Sequence, residues 1–379
     1  MLHPTSLPSG RLDAEAYAFV DWLAAAGQSW WQVLPLGPPD EYGSPYASSS
    51  AFAAWEGFLA DPDAPVSARE RKAFRAANAY WIGDWEDAGG SVDAQIRFDR
   101  EWAALRAYAR ERGVRLFGDV PIYVAQGSVD QQAHPELFLP DLVAGAPPDP
   151  MGPEGQHWGN PLFDWAALER EGYRWWIERL RRTLALFDLT RIDHFRGFAR
   201  FWAIPGGELD ARTGHWLDGP GDAVFRAARA ELGPLPVVAE DLGLITPDVI
   251  ALRDRLGFPG MVVFLWAFKD DEDNPHRLER HRERSVVYTS THDTDTLRAS
   301  FPDRDHGSGY WELIELALSS RAQLAMLPAQ DVLGLGSEGR MNTPGVPEGN
   351  WTWRLEPGQL GDEHAKRLRA ATAAAGRTG

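Results

Sequence analysis

The chain has 379 residues, 44% of them hydrophobic and 25% charged, an ordinary composition for a folded globular protein that excludes intrinsic disorder. It contains no cysteine, so disulfide frameworks, thiolate metal sites and thiol nucleophiles are excluded. With 38 basic against 55 acidic residues the formal charge is -17, which disfavours nucleic-acid backbones and anionic membranes as partners and suits a neutral or cationic ligand.

The opening MLHPTSLPSG has no basic region followed by an apolar core, so no secretory signal is expected and the cytoplasm is the default location. Residues 2–7 give the first and weakest strand candidate, and 13–26 carry helical spacing. A strand is expected at 31–36, then a long stretch without one over 52–95, a helix at 96–112 and a strand at 114–124. Residues 125–165 again offer no strand; within them 139–159 (LPDLVAGAPPDPMGPEGQHWG) are so rich in Pro and Gly that an irregular loop over the barrel mouth is expected. A helix at 171–187 and a strand at 189–195 follow, then a third strand-free stretch at 200–223. The rest alternates: helix 222–232, strand 235–241, helix 247–256, strand 261–268, helix 275–284, strand 286–291, helix 310–318, strand 327–335 and helix 362–375. Thr246-Pro247 reads as an N-cap followed by proline at the first helical position. The apolar run MVVFLWAF at 261–268 is the longest, and it falls far short of the roughly 20 residues that cross a bilayer.

Eight strands alternating with eight helices predict an α/β chain folded as a (β/α)8 TIM barrel rather than a doubly wound open sheet. A plain barrel needs about 250 residues. The surplus is assigned to insertions at about 52–95, 125–165 and 200–223, reduced subdomains at the C-terminal face of one catalytic domain spanning 1–379.

In such a barrel the site gathers where strands end. Asp119 closes FGDV, Asp193 lies in LTRIDHF, Glu240 and Asp241 in VVAEDLG, and His292 and Asp293 in YTSTHDTDT. Each alone has a plain structural reading, as an ion pair, a turn residue or a helix cap. Together they do not, because strand ends at one pole have no structural reason to share carboxylates, and burying unpaired charge costs several kcal/mol. Strand alternation places Arg191 beside Asp193 and sends Ile192 and His194 to the other face. The guanidinium would keep that carboxylate ionised. An ionised carboxylate beside a protonated carboxyl is the equipment of retaining glycosidic chemistry. No metal is expected, since His292 has no second ligand at helical spacing; nor is a serine hydrolase, since no nucleophile elbow exists, and no phosphate loop is present. Seventeen Trp provide core material first and flat faces for sugar rings second.

The runs LHPTSLPSG, WWQVLPLGPPDEYGSPYASSSAF, FGDVPIYVA, VAGAPPDPMGPEGQHWGNPLFDW, RIDHFRGF, VVAEDLGLITPDV, YTSTHDTDT and QDVLGLGSEGRMNTPGVPEGNWTWRL resemble 4-α-glucanotransferases of the amylomaltase (disproportionating enzyme) type, in the broad α-amylase-like group. The resemblance covers most of the chain. It implies Asp193 as nucleophile, Glu240 as general acid/base and Asp293 as the carboxylate that holds sugar hydroxyls and stabilises the transition state. It further implies substrate contacts for Tyr46, Asp119, Trp158, Arg191, Asp270, His292 and Asn350. No organic cofactor is implied, and the partners are α-1,4-glucans and maltooligosaccharides. The chain is shorter than such enzymes usually are, with reductions between the SPY segment and the helix at Glu101 and between THDTDT and QDVLGLGS. Its mouth loop PPDPMGPEGQ also carries Pro, Met and Gly where a Tyr-Phe pair is usual. Those departures keep an α-glucan hydrolase, or a glucan-binding protein without turnover, as alternative expectations.

Overall fold

A computed structural model describes residues 1–148, 152–269, 273–304, 309–346 and 348–378. The strands in chain order are β1 (Trp30–Gln32), β2 (Arg115–Val120), β3 (Phe138–Ala146), β4 (Gln156–Phe163), β5 (Leu189–Ile192), β6 (Arg200–Pro205), β7 (His215–Asp218), β8 (Val237–Ala239), β9 (Gly260–Val263), β10 (Ser285–Tyr288) and β11 (Leu324–Met326). Seven of them pair in parallel, as β1-β2-β5-β8 and β9-β10-β11. The two sheets are continuous, since the Ala239 N–H donates to the Pro259 carbonyl at 2.8 Å. Between β11 and β1, residues 1 and 2 take the eighth position. Leu2 N–H donates to the Gln32 carbonyl at 3.1 Å, and Ala329 N–H donates to the Met1 carbonyl at 3.0 Å. The architecture is therefore the expected (β/α)8 barrel.

The inner wall follows from alternation. Phe117, Val238, Met261, Val286, Tyr288 and Met326 point into the barrel and form one buried cluster, while their neighbours face the helices. Gly118 is one such outward position. A Cβ there would lie 2.2 Å from the Phe187 ring, so glycine is what lets the end of helix Arg174–Leu186 close on β2. Outer helices begin where the sequence places capping oxygens: Asp13 accepts from Glu15 N–H before Ala14–Ala25, and Ser91 accepts from Ala94 N–H before Val92–Glu111.

Several expectations are corrected. Residues 2–7 are not a regular strand, because Pro4 has no N–H for a ladder and starts the 3₁₀ turn Pro4–Ser6. The apolar run 327–335 is not a strand either: β11 ends at Met326, and Ala329–Leu333 is a short helix closed by Gly334 at φ 64°. The run 261–268 splits into β9 and the 3₁₀ turn Phe264–Phe268. The helix expected at 275–284 shrinks to the turn Leu278–Arg280, since HRLERHRER offers Leu278 as its one apolar residue and so no apolar stripe at helical spacing.

The largest correction concerns 139–159, of which 149–151 lie outside the described residues. Instead of an irregular loop, β3 and β4 form a hairpin whose partner strands come from the third insertion, giving one antiparallel sheet ordered β4-β3-β6-β7. The prolines are tolerated because Pro140 lies where the β3–β4 register shifts and Pro161 sits on the edge strand β4. Gly145 serves close approach, since a Cβ would meet the Gln156 carbonyl at 2.3 Å. No helix among the described residues is long and apolar enough to cross a membrane.

Candidate active site

Register sets the first contact. Asp119 on β2 pairs with Arg191 on β5 in the parallel ladder, so both side chains share one layer inside the barrel. Arg191 Nη1 donates to both Asp119 oxygens, at 2.8 and 2.6 Å, and Nη2 donates to Asp193 Oδ1 at 2.5 Å. Arg191 and Asp119 are buried, whereas the Asp193 carboxylate remains 29% exposed and so open to a ligand. The second oxygen of the Asp119 pair also accepts from the Tyr46 hydroxyl at 2.7 Å. Tyr46 sits in the 3₁₀ turn Pro45–Ala47 that Ser44 caps. Burial, reinforced by the Asp119 charge, pushes its phenol well above the usual tyrosine range, so it stays a donor.

β5 ends at Ile192, and Asp193 is held by its N–H to the Val120 carbonyl at 2.9 Å. His194 then turns into the left-handed region at φ 49° and ψ 47°. This bends the chain so that the His194 N–H donates to Glu240 Oε2 at 2.7 Å. Glu240 follows β8, with its own N–H on the Ile192 carbonyl at 3.0 Å and its Oε1 accepting from Leu242 N–H at 3.1 Å. Burial first, then the neighbouring Asp193 charge, pushes the Glu240 carboxyl up to about 8. Asp241 does different work: it pairs with Arg253 and accepts from Met261 N–H at 2.7 Å, away from the cluster.

Asp293 lies beyond β10. Asn342 Nδ2 donates to its Oδ1 at 2.7 Å, and the His292 ring approaches Oδ2 at 3.2 Å. Burial alone would raise this carboxyl, but the His292 ring and the Asn342 amide outweigh it and hold it down to about 2. The side chain is 43% exposed and so reachable. His292 stacks on Tyr46 with centroids 5.0 Å apart and planes 16° apart. A continuous series of contacts thus runs from Asp293 through His292, Tyr46, Asp119 and Arg191 to Asp193, and on through the His194 amide to Glu240.

Trp158 reaches this cluster from β4, its ring edge-on to His194 at 4.6 Å. The antiparallel sheet of the insertions therefore forms one wall of the site. Asn350 does not join the cluster. Its amide is used within its own loop, accepting from Thr343 N–H at 2.9 Å and donating to the Val346 carbonyl at 2.5 Å. Asp270 lies outside the described residues. Sequence reasoning passed over Trp351, whose φ of 62° turns the ring to 5.9 Å from both Tyr46 and His292. It also passed over Asn342 and over Arg340, which donates to the Asp293 carbonyl at 3.0 Å. The clue was available, since all three lie in RMNTPGVPEGNWTW.

The arrangement offers one carboxylate fixed by a guanidinium, one carboxyl biased to keep its proton and one carboxylate biased to lose it. That set can exchange a glycosidic bond for an enzyme ester and back.

The sequence model of a family described as 4-alpha-glucanotransferase matches residues 2–82 and 91–360. A 4-alpha-glucanotransferase of Thermus thermophilus is 40% identical over 484 aligned positions, covering 98% of this chain and 97% of the relative. The alignment is longer than the chain, so that relative carries internal residues absent here. A 4-alpha-glucanotransferase of Synechocystis is 38% identical, covering 96% and 94%. Among solved structures, an amylomaltase from Streptococcus agalactiae in complex with acarbose superposes with a TM-score of 0.90 at 27% identity, covering 99% of this chain and 98% of the other. An α-amylase from Geobacillus thermoleovorans shares the fold, with a TM-score of 0.60 at 13% identity over 96% of this chain and 73% of that one.

Proposed function

The chain belongs to the 4-α-glucanotransferase family, and we propose that it transfers α-1,4-glucan segments between maltooligosaccharides with Asp193 as nucleophile, Glu240 as acid/base and Asp293 as stabilising carboxylate. The observation that carries this reading is the unbroken contact series joining the three carboxylates through Arg191 and the His194 amide.

In the first step an Asp193 oxygen bonds to the anomeric carbon while the Glu240 proton passes to the departing glycosidic oxygen. Arg191 holds Asp193 in place through its Nη2 hydrogen bond. Asp293, ionised throughout, accepts sugar hydroxyls and faces the positive charge that develops on the ring. In the second step an acceptor hydroxyl bonds to the same carbon, Glu240 takes its proton, and the Asp193 ester breaks, so configuration is retained. Ester formation removes the Asp193 charge, one of the causes that raise Glu240. Glu240 can therefore ionise when its role changes from acid to base.

A pH dependence follows. Glu240 must be protonated in the free enzyme, so kcat/KM for maltotriose is expected to fall as pH rises through about 8. The check is a profile between pH 5 and 10. An alkaline limb below pH 6, in the ordinary carboxylate region, would contradict the assignment.

A further inference from the structure

Continued strand geometry would carry His194 to the face opposite Asp193 and give its N–H no part in the site. Instead the residue is left-handed, at φ 49° and ψ 47°, and its N–H meets Glu240 Oε2 at 2.7 Å. A left-handed conformation is uncommon for a residue with a side chain and persists only where surroundings hold it, although His is among the types that adopt it more readily. Here Trp158 from β4 lies edge-on to the imidazole at 4.6 Å and 89°, with Tyr123 at 6.5 Å. Trp158 is itself steadied by its Nε1–H on Gln156 Oε1 at 2.9 Å. Burial keeps the imidazole neutral, lowering it to about 4, so the ring adds no charge beside Glu240.

We propose that His194 is a positioning residue for the transfer reaction: Trp158 clamps its left-handed backbone so that a fixed N–H holds Glu240 and stabilises the ionised form used against the acceptor. The proposal rests on the acid/base reading of Glu240. The charged groups that face Glu240 are Asp193 and Arg191 from the β5 end and Asp241 next to it in the chain. Once Asp193 is esterified, burial still opposes ionisation of Glu240. Arg191, the Leu242 N–H and the His194 N–H are then what favour it. Because His194 directly follows Asp193, this amide also ties the position of the proton carrier to that of the nucleophile.

The test separates backbone from ring. Gly and Asn accept a left-handed conformation, whereas β-branched Val opposes it. In His194→Val the alkaline limb of kcat/KM for maltotriose should move up by about one pH unit, equivalent to a tenfold weaker hold on the ionised form. Turnover of maltosyl fluoride with glucose as acceptor should fall by a similar factor, since that donor departs without a proton and exposes the second step. His194→Gly and His194→Asn, which accept the left-handed backbone, should move the limb clearly less than His194→Val does. Trp158→Leu, with His194 intact, should move the limb in the same direction as His194→Val, which keeps the test available if the valine variant does not fold. A limb that shifts equally in His194→Gly would assign the effect to the ring and overturn the proposal. So would melting temperatures that fall while the limb stays fixed. A limb that persists in Glu240→Gln overturns the acid/base reading instead.

Discussion

Asp193→Asn is expected to lower the rate of maltotriose disproportionation by about 10⁴- to 10⁶-fold, the loss typical when a covalent nucleophile is removed. Asn keeps the volume and can still meet Arg191 Nη2, so the fold and glucan binding should survive, as checked by circular dichroism and calorimetric titration with maltotriose. Glu240→Gln should cost less, about 10²- to 10⁴-fold, because only proton transfer is removed. The two variants should then diverge with a fluoride donor. Glu240→Gln should form its glycosyl-enzyme readily, stall, and be released by azide as the α-glycosyl azide, since azide needs no base. Asp193→Asn should gain nothing from either. Equal behaviour of the two variants would show that the roles are misassigned.

Arg191→Met is expected to combine a catalytic with a structural loss. In the native protein this buried guanidinium neutralises Asp119, whose side chain is fully shielded, and holds Asp193 at 2.5 Å. Its removal leaves a buried carboxylate without its countercharge, a defect worth about 3–5 kcal/mol. Burial then raises the Asp119 carboxyl with only the His292 ring and the Tyr46 hydroxyl left to oppose it. A group raised in the folded state contributes stability below its unfolded value and loses it as pH rises, so the deficit should be largest at alkaline pH and shrink toward acid. Urea unfolding at pH 5 and pH 8 measures this. The double variant Arg191→Met with Asp119→Asn should regain most of the stability and none of the activity, because Asp193 still lacks its partner. A single variant as stable at pH 8 as at pH 5 would mean that Asp119 is not held as a carboxylate.

How far the sequence carries depends on which physical signal each segment holds. Arg191 beside Asp193 is legible because β5 is regular as far as Ile192 and alternation decides its faces. The same rule fails one residue later, since the left-handed turn at His194 leaves no mark in the pattern of apolar residues. Glu240 and Asp241 look alike in VVAEDLG; only three-dimensional packing gives one the His194 amide and the other Arg253. The β3–β4 hairpin hides because glycines needed for close approach and prolines at a shifted register and an edge look like loop composition. Pairing of β3 with β6 depends on residues more than 50 positions apart, as with Leu142 and Pro205, which no local window can see. The run 327–335 is too short for its period to separate strand from helix, and Gly334 at φ 64° decides it. Asn350 and Trp351 are neighbours in one loop with different parts to play. There the amide secures the turn, while its neighbour Trp351 presents a ring to Tyr46 and His292.

A sugar hydroxyl, rather than water, is expected to complete the reaction. Chromatography of products formed from maltotriose, with reducing ends counted in parallel, tests this most directly. Transfer predicts glucose together with maltopentaose and longer chains at a constant number of reducing ends. Glucose and maltose alone, with reducing ends rising throughout, would contradict it.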